Sequence, residues 1–402
     1  MLQRPGTKTA DGPSLSHVLS RLAVVEALVR AAIATRRTGT GDHPAPDPFR
    51  GLYLSDTEID RLLAAGPGMA VLSGAGPGAA GLCGAGTGTG TGTGTGATGE
   101  TAQTKSTGQT GDTGRIAQTR DTGDTGDTAQ MLAAVEEAAD RAASAGARLR
   151  LRDLAGAFGL LPLDIALLLV ALAPEVDPRF ERLYGYLHDD LTRRRPTIGL
   201  ALELAGVPAA AASGRARLRP GCPLLDHALI EVLEGDRPFL TRSLRIPDRV
   251  VAHLLGDDTP DPALHDLLAT PPPCLAGDPG AMAAALRAGA SLGYVTEHRT
   301  GSAPALGAAA FATLGLPSVV LDLGRLAGRD PVAVAAIARR EARLRGAGLV
   351  AGPVEALGDA TSDQLPGRVS AWTDPTWPVI LFGRRTWDPL WSAQVPAGGD
   401  AP

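Results

Sequence analysis

Leu15, Val18, Leu19, Leu22, Val25, Leu28, Val29 and Ile33 recur at three- and four-residue steps, the stripe of one amphipathic helix, with Ser14 placed to cap it. The pattern breaks at Gly39 into a Pro-rich stretch. Asp47 to Leu54 then reads as a short extended piece, and Ser55-Asp56-Thr57-Glu58 has capping-box spacing at the head of a second helix through Leu63. Two apolar stripes with so little material behind them cannot enclose a core. This module, residues 14–65, is expected to dock elsewhere on the chain or on another chain.

Periodicity then disappears. From Gly66 to about Thr128 the chain is low in complexity and dominated by Gly, Thr and Ala, including a Gly-Thr repeat between Gly86 and Gly96, so residues 66–130 are expected to form a disordered linker. A phosphate-cradling Gly loop needs a strand before it, a helix after it and a Lys at a fixed step, and this tract offers none of them.

Helical periodicity resumes at Met131 to Ala143 and continues in short segments at about Leu151–Phe158, Pro162–Ala173, Pro178–Leu187 and Thr197–Leu204. Gly159, Pro174 and Pro196 separate them. Arg215 to Arg219 and Arg237 to Leu244 read as strands, and Pro247 to Leu255 as a helix opened by its proline. Short helices followed by two strands suggest a winged-helix-like domain over residues 131–256.

The period changes again after residue 275. Leu292–Val295, Ser318–Asp322, Gly348–Ala351 and Pro378–Phe382 are continuous apolar runs, the appearance of strands buried on both faces. Helical stretches at Pro304–Leu314, Pro331–Arg345 and Ser362–Ala371 alternate with them; Asp330 caps the second and Gly346 ends it. Such alternation means a parallel sheet with crossovers. The fold class expected is therefore α plus α/β: the winged-helix-like domain, then a degenerate P-loop-type α/β domain over residues 275–395, then a disordered tail at 396–402.

Composition narrows the chemistry. With 38 basic against 43 acidic residues the net charge is −5, without the excess of a general nucleic-acid binder. Cys83, Cys222 and Cys274 are odd in number and far apart, which excludes a disulfide framework or a zinc module and fits a cytoplasmic setting. The longest apolar run, Leu160 to Ala173, contains Pro162 and Asp164 and is shorter than a membrane span, so it reads as a core helix. No membrane partner is expected.

A P-loop follows the pattern GxxxxGK and then Ser or Thr, its amides approaching phosphate and its Lys neutralising charge. Here the turn after the first strand is Thr296-Glu297-His298-Arg299-Thr300-Gly301-Ser302-Ala303-Pro304. Gly301, Ser302 and Ala303 are the candidate residues of a degenerate phosphate loop. The ammonium is missing: the only lysines, Lys8 and Lys105, lie far outside this domain. The magnesium-binding acid is missing too, since Gly352-Pro353 follows the third strand and Glu355 lies about a turn too far along. Gly383-Arg384-Arg385 ends the fourth strand without a polar sensor of the γ-phosphate, and the residues after it are too few for a helical lid. No catalytic residue, metal ligand or cofactor is assigned, with ATP and magnesium kept as the alternative.

Asp47 through Tyr53, Leu172 through Tyr184, Asp189 through Thr197 and Arg242 through Ile246 carry a resemblance. Residues 15–63 and 149–395 are similar to the N-terminal half of actinobacterial AAA+ ATPase-type proteins encoded with phage-tail-like contractile injection particles. The resemblance implies a winged-helix-like region, then a degenerate ATPase domain, ending where a competent one would begin. It implies a protein partner: a competent ATPase or an injection-particle component.

Remaining signals favour plain readings. Arg193-Arg194-Arg195 could meet DNA phosphates, but the helix from Thr197 carries no Arg, Asn or Gln to read bases. Glu175 and Asp177 are expected to cap helices and pair with Arg179 or Arg182 rather than act as an acid/base pair. His188, His227, His253, His265 and His298 show no metal-binding step and are taken as surface or core residues. The favoured function is a non-catalytic assembly or adaptor protein acting through protein contacts. A residual nucleotide binder or weak ATPase, and a winged-helix DNA regulator, are the alternatives.

Overall fold

The computed structural model describes residues 12–38, 55–65, 122–275, 277–298, 301–359, 362–394 and 396–401. The extended piece expected at 47–54, Cys83 and the Gly-Thr repeat lie outside these residues.

The amphipathic stripe at the N-terminus is carried by α1 (Gly12–Thr38), and Ser55 caps α2 (Asp56–Ala64) by accepting from the Glu58 amide. α3 (Thr122–Ser144) begins nine residues before the expected Met131, within the stretch read as linker. Next come α4 (Arg150–Ala157), α5 (Pro162–Val176), α6 (Arg179–His188) and α7 (Ile198–Leu204), close to their expected bounds except that α5 runs through Pro174, the residue expected to end it. Asp164, fully buried, caps α5 through the Leu161 amide and pairs with Arg217.

Ser14 is an instructive correction. It sits inside α1 and does not cap it; its hydroxyl accepts from the Arg150 amide at 3.0 Å. It therefore satisfies the first turn of α4, whose own cap position, Leu149, supplies no side-chain bond. Arg179, 1% exposed, ties α1 and α2 to α6: it pairs with Glu26 at 2.9 Å and Asp177 at 2.8 Å and donates to the Leu62 carbonyl at 3.1 Å. α1 thus shares one core with α4 to α7, including Val18, Val29, Leu168, Tyr184 and Leu202.

The strand expected at 215–219 is instead the end of α8 (Ala212–Ala216) and the turn after it. Alternating Arg and apolar residues mimic a strand there, but Arg217 reaches the buried Asp164 and Gly214 packs against Leu202 and Val207, where a Cβ would meet the latter's Cγ1 at 2.6 Å. After α9 (Pro223–Asp226), β1 (Glu231–Val232) pairs antiparallel with β2 (Leu244–Arg245), making a short wing. Only the last residue of the expected 237–244 strand joins it. α10 (Asp248–Leu254) closes the region, with Pro247 as cap rather than first helical residue.

The α/β part adds α11 (Pro279–Arg287), which the sequence reading did not include, then β3 (Leu292–Glu297), α12 (Ser302–Thr313), β4 (Ser318–Asp322), α13 (Pro331–Leu344), β5 (Gly348–Gly352), α14 (Leu365–Ala371) and β6 (Val379–Gly383). Residues 397–401, placed in the disordered tail by the sequence, form β7 (Ala397–Ala401), paired parallel to β3. The small residues of this Ala-Gly-Gly-Asp-Ala segment carry no apolar pattern; backbone pairing with β3 holds the strand, and Ala397 packs against the core under α11 and α12. All five strands are parallel in the order β4-β5-β6-β3-β7.

Each apolar run divides between two faces with period two. Val295, Val320, Val350, Ile380 and Phe382 pack under α11 and α12. Leu292, Tyr294, Val319, Leu321, Leu349, Val379 and Leu381 pack under α13 and α14. α13 also faces the helical region: Arg249 pairs with Glu341 (2.8 and 3.2 Å) and Arg340 with Asp261 (2.6 Å), while Arg343 pairs with Asp374 and donates to the Ala157 carbonyl.

Candidate functional site

The carboxyl ends of parallel strands, beside a crossover, are where open α/β sheets bind ligands. Here β3, β4, β6 and the residues following β5 surround a cavity of about 470 Å³, closed on one side by residues 269–272. Gly301, the first of the sequence-assigned loop residues, lines it.

Gly301 takes a left-handed conformation (φ 92°) at the N-cap of α12, with Ser302 and Ala303 opening the helix. This is the turn a phosphate loop requires, yet its donors are engaged. Glu297, the last residue of β3 and 6% exposed, turns its carboxylate into the helix N-terminus, where Oε1 accepts from the Gly301 amide at 2.7 Å and the Ala303 amide at 3.4 Å. Pro304 has no amide to offer. A side-chain anion thus occupies the position that the exposed amides and helix dipole would give a phosphate oxygen. By spacing alone Glu297 has no assigned role. Its signal was an acid at the end of a strand, four residues before a glycine that must cap a helix.

The other acids at the strand ends are engaged as well. Glu355 lies on the single turn after β5 and reaches across to β6, its Oε1 accepting from the Arg384 and Arg385 amides at 2.8 Å each, while its Oε2 is buried with no hydrogen-bond partner. Gly383 permits this approach, for a Cβ there would lie 2.8 Å from Oε2. Asp322 caps the turn after β4 through Gly324 and pairs with Arg325 at 3.0 Å. Among the described residues, no group of three or more His, Cys, Asp or Glu is placed to hold a metal ion.

Electrostatics set the scale. Glu297, Asp322 and Glu355 all line the cavity, and among the described residues its lining holds one basic residue, Arg384. Bringing a phosphate charge within about 4 Å of one carboxylate costs roughly 4 kcal/mol at an effective dielectric of 20, about a thousandfold in affinity.

The Arg193-Arg194-Arg195 run is also paired. Arg193 meets Asp190 at 3.2 Å, Arg194 meets Glu181 at 3.7 Å and Arg195 meets Glu175 at 3.4 Å. Asp177 pairs with Arg179 as expected, whereas Glu175 takes Arg195 rather than Arg179 or Arg182. α7 is embedded, with Ile198, Leu200, Ala201, Leu202 and Leu204 buried. Of the histidines, His265 and His298 are exposed and His253 is buried. Burial, with Arg343 nearby, lowers His227 to about 4; burial, with Arg150 and Arg249 nearby, lowers His253 to about 4. No helix among the described residues is long and apolar enough to cross a membrane.

Neither a curated protein nor a solved structure matches the chain. Residues 13–268, from the start of α1 through the two-stranded wing and beyond it, match the family described as "Winged helix domain, variant". That match spans more than half of the sequence, and the chain belongs to this family.

Proposed function

We propose that this chain is a non-catalytic relative of P-loop ATPases, an assembly or adaptor component that works through protein contacts. The observation that carries the reading is the Glu297 carboxylate in the anion seat at the start of α12. A site whose described helix N-terminal amides are engaged by its own acid lacks the amides and the lysine with which a P-loop stabilises charge on a transferred phosphoryl group. The paired arginines and embedded α7 support protein surfaces over duplex DNA as the partner, because neither phosphate-neutralising charge nor base-reading side chains stand ready. The resemblance noted above favours a competent ATPase or a component of a contractile injection particle as that partner. Calorimetric titration with magnesium-ATP, together with a phosphate-release assay, tests the reading. It expects no submillimolar binding and no turnover above background; turnover that Gly301 or Ser302 substitutions abolish would overturn it.

A further inference from the structure

α1 buries two faces. Val18, Leu22, Val25, Val29 and Ile33 belong to the core shared with α4 to α7. Val24 is buried outside that core, and the buried His17 and the partly buried Arg21 precede it on the same side of the helix. α3 lies along this second face. Its Glu136 carboxylate accepts from His17 at 3.3 Å, from Arg21, and from Arg152 of α4 at 2.7 Å, while Asp140, one turn on, accepts from Arg152 at 2.6 Å. The attachment differs from that of the helices beneath. Between residues 126 and 144 only Thr128 and Ala139 are buried, whereas α5 buries Asp164 and every residue from Leu167 to Ala173. The last turn of α3, with Ala142, borders a cleft of about 1190 Å³ lined also by Arg345, Ala347 and Trp377 of the α/β part. Partly exposed ion pairs contribute little, and a helix of this length has little stability by itself, so α3 opens more readily than α5.

We infer that α3 is a displaceable cover, and that the face beneath it, His17, Arg21 and Val24 with Arg152 of α4, receives an acidic amphipathic helix of a protein partner. What α3 places on the face sets the chemistry of that occupant: Leu132, Val135 and Ala139 at helical steps around one carboxylate, Glu136. When α3 withdraws, Arg21 and Arg152 lose the carboxylates that pair with them among the described residues. The uncovered face is then apolar at Val24 and cationic at two guanidinium groups, and a helix carrying a carboxylate at the position of Glu136 restores both contacts. The inference rests on the reading that this protein works through protein contacts, and it names one surface and the partner chemistry that fits it.

The test uses the full chain and, as probe, a labelled peptide of residues 126–148. Glu136→Arg sets a further guanidinium against Arg21 and Arg152 and is expected to free the face, while the tryptophans of the α/β part keep their native fluorescence. Fluorescence anisotropy is expected to show the peptide binding this variant at least about tenfold tighter than the wild type, whose own α3 competes from the same chain. The same peptide carrying Glu136→Arg is expected to bind neither. Hydrogen exchange of the wild type needs no variant: α3 amides are expected to exchange at least about tenfold faster than those of α5. Equal exchange of the two helices, equal peptide binding by variant and wild type, or equal binding of the two peptides overturns the inference. So does a wild-type dimer that exchanges α3 between copies, seen by sedimentation, because a second copy is then the occupant. Magnesium-ATP binding and turnover are measured separately, so failure here leaves the non-catalytic reading standing.

Discussion

Removing the Glu341 carboxylate is expected to uncouple the helical region from the sheet. Glu341 is fully buried on α13 and accepts from Arg249 at 2.8 and 3.2 Å, from Arg345 at 2.8 Å and from the Asp261 amide at 3.4 Å. In Glu341→Ala, Arg249, itself 5% exposed, retains the Asp257 carbonyl as its one hydrogen-bond acceptor in the structure. Deleting one partner of a buried pair costs about 3–5 kcal/mol, because the remaining charge stays out of water. For a chain of 402 residues that corresponds to a fall of roughly 4–6 °C in melting temperature. The double variant Arg249→Met, Glu341→Leu removes both charges and is expected to recover most of the loss. Urea unfolding followed by two probes reads this directly. All four tryptophans, Trp372, Trp377, Trp387 and Trp391, lie in the α/β part, so their fluorescence reports on it alone, whereas circular dichroism is weighted toward the helices. The two transitions are expected to coincide in the wild type and to separate in Glu341→Ala. A loss below about 1 kcal/mol with coincident transitions, or a double variant no better than the single, would refute the reasoning.

Acidification is expected to destabilise the fold in two stages. His227 and His253, lowered to about 4 by burial first and nearby arginines second, stay neutral in the folded protein while the unfolded chain takes up protons near 6.5. Stability is therefore full above that range and declines from pH 6.5 toward 4. For Glu136, burial acts to raise the carboxyl, but hydrogen bonds from Arg152, Arg21 and His17 outweigh it and hold it at about 2, so its contribution is present above 4.5 and is lost as pH falls toward 2. Melting temperature against pH checks both: a curve flat from 6.5 to 4 contradicts the histidine stage, and one flat from 4.5 to 2 contradicts the Glu136 stage. Gly348→Ala places a Cβ within 2.3–2.4 Å of the buried Phe311 ring and is expected to cost about 1–3 kcal/mol, partly restored by Phe311→Leu, as read by urea unfolding. Duplex DNA of arbitrary sequence is expected to bind weakly, and steep, salt-dependent binding by fluorescence anisotropy would revive the DNA reading.

The sequence was most legible where one physical signal dominated. The four strands β3 to β6 and their crossover helices follow from apolar runs and from caps such as Asp330, whose carboxylate accepts from Val332 as its position implies. Local alternation misled at 215–219, because the deciding interaction is the long-range pair with Asp164. β7 was invisible, since a strand of small residues added by backbone pairing leaves no hydrophobic pattern. Ser14 had the right chemistry for a cap, and only the fold reveals that it serves α4. The missing lysine and the displaced acid were plain from spacing alone, but that Glu297 fills the gap depends on the direction a buried side chain takes at the end of a strand.

The most direct measurement is pyrophosphate binding by the wild type and by Glu297→Ala, compared by calorimetry in one buffer. Occupation of the α12 N-terminus by the Glu297 carboxylate predicts silence in the wild type and measurable binding once the carboxylate is gone and the Gly301 and Ala303 amides are released. Pyrophosphate binding by the wild type that weakens in Glu297→Ala would contradict the account.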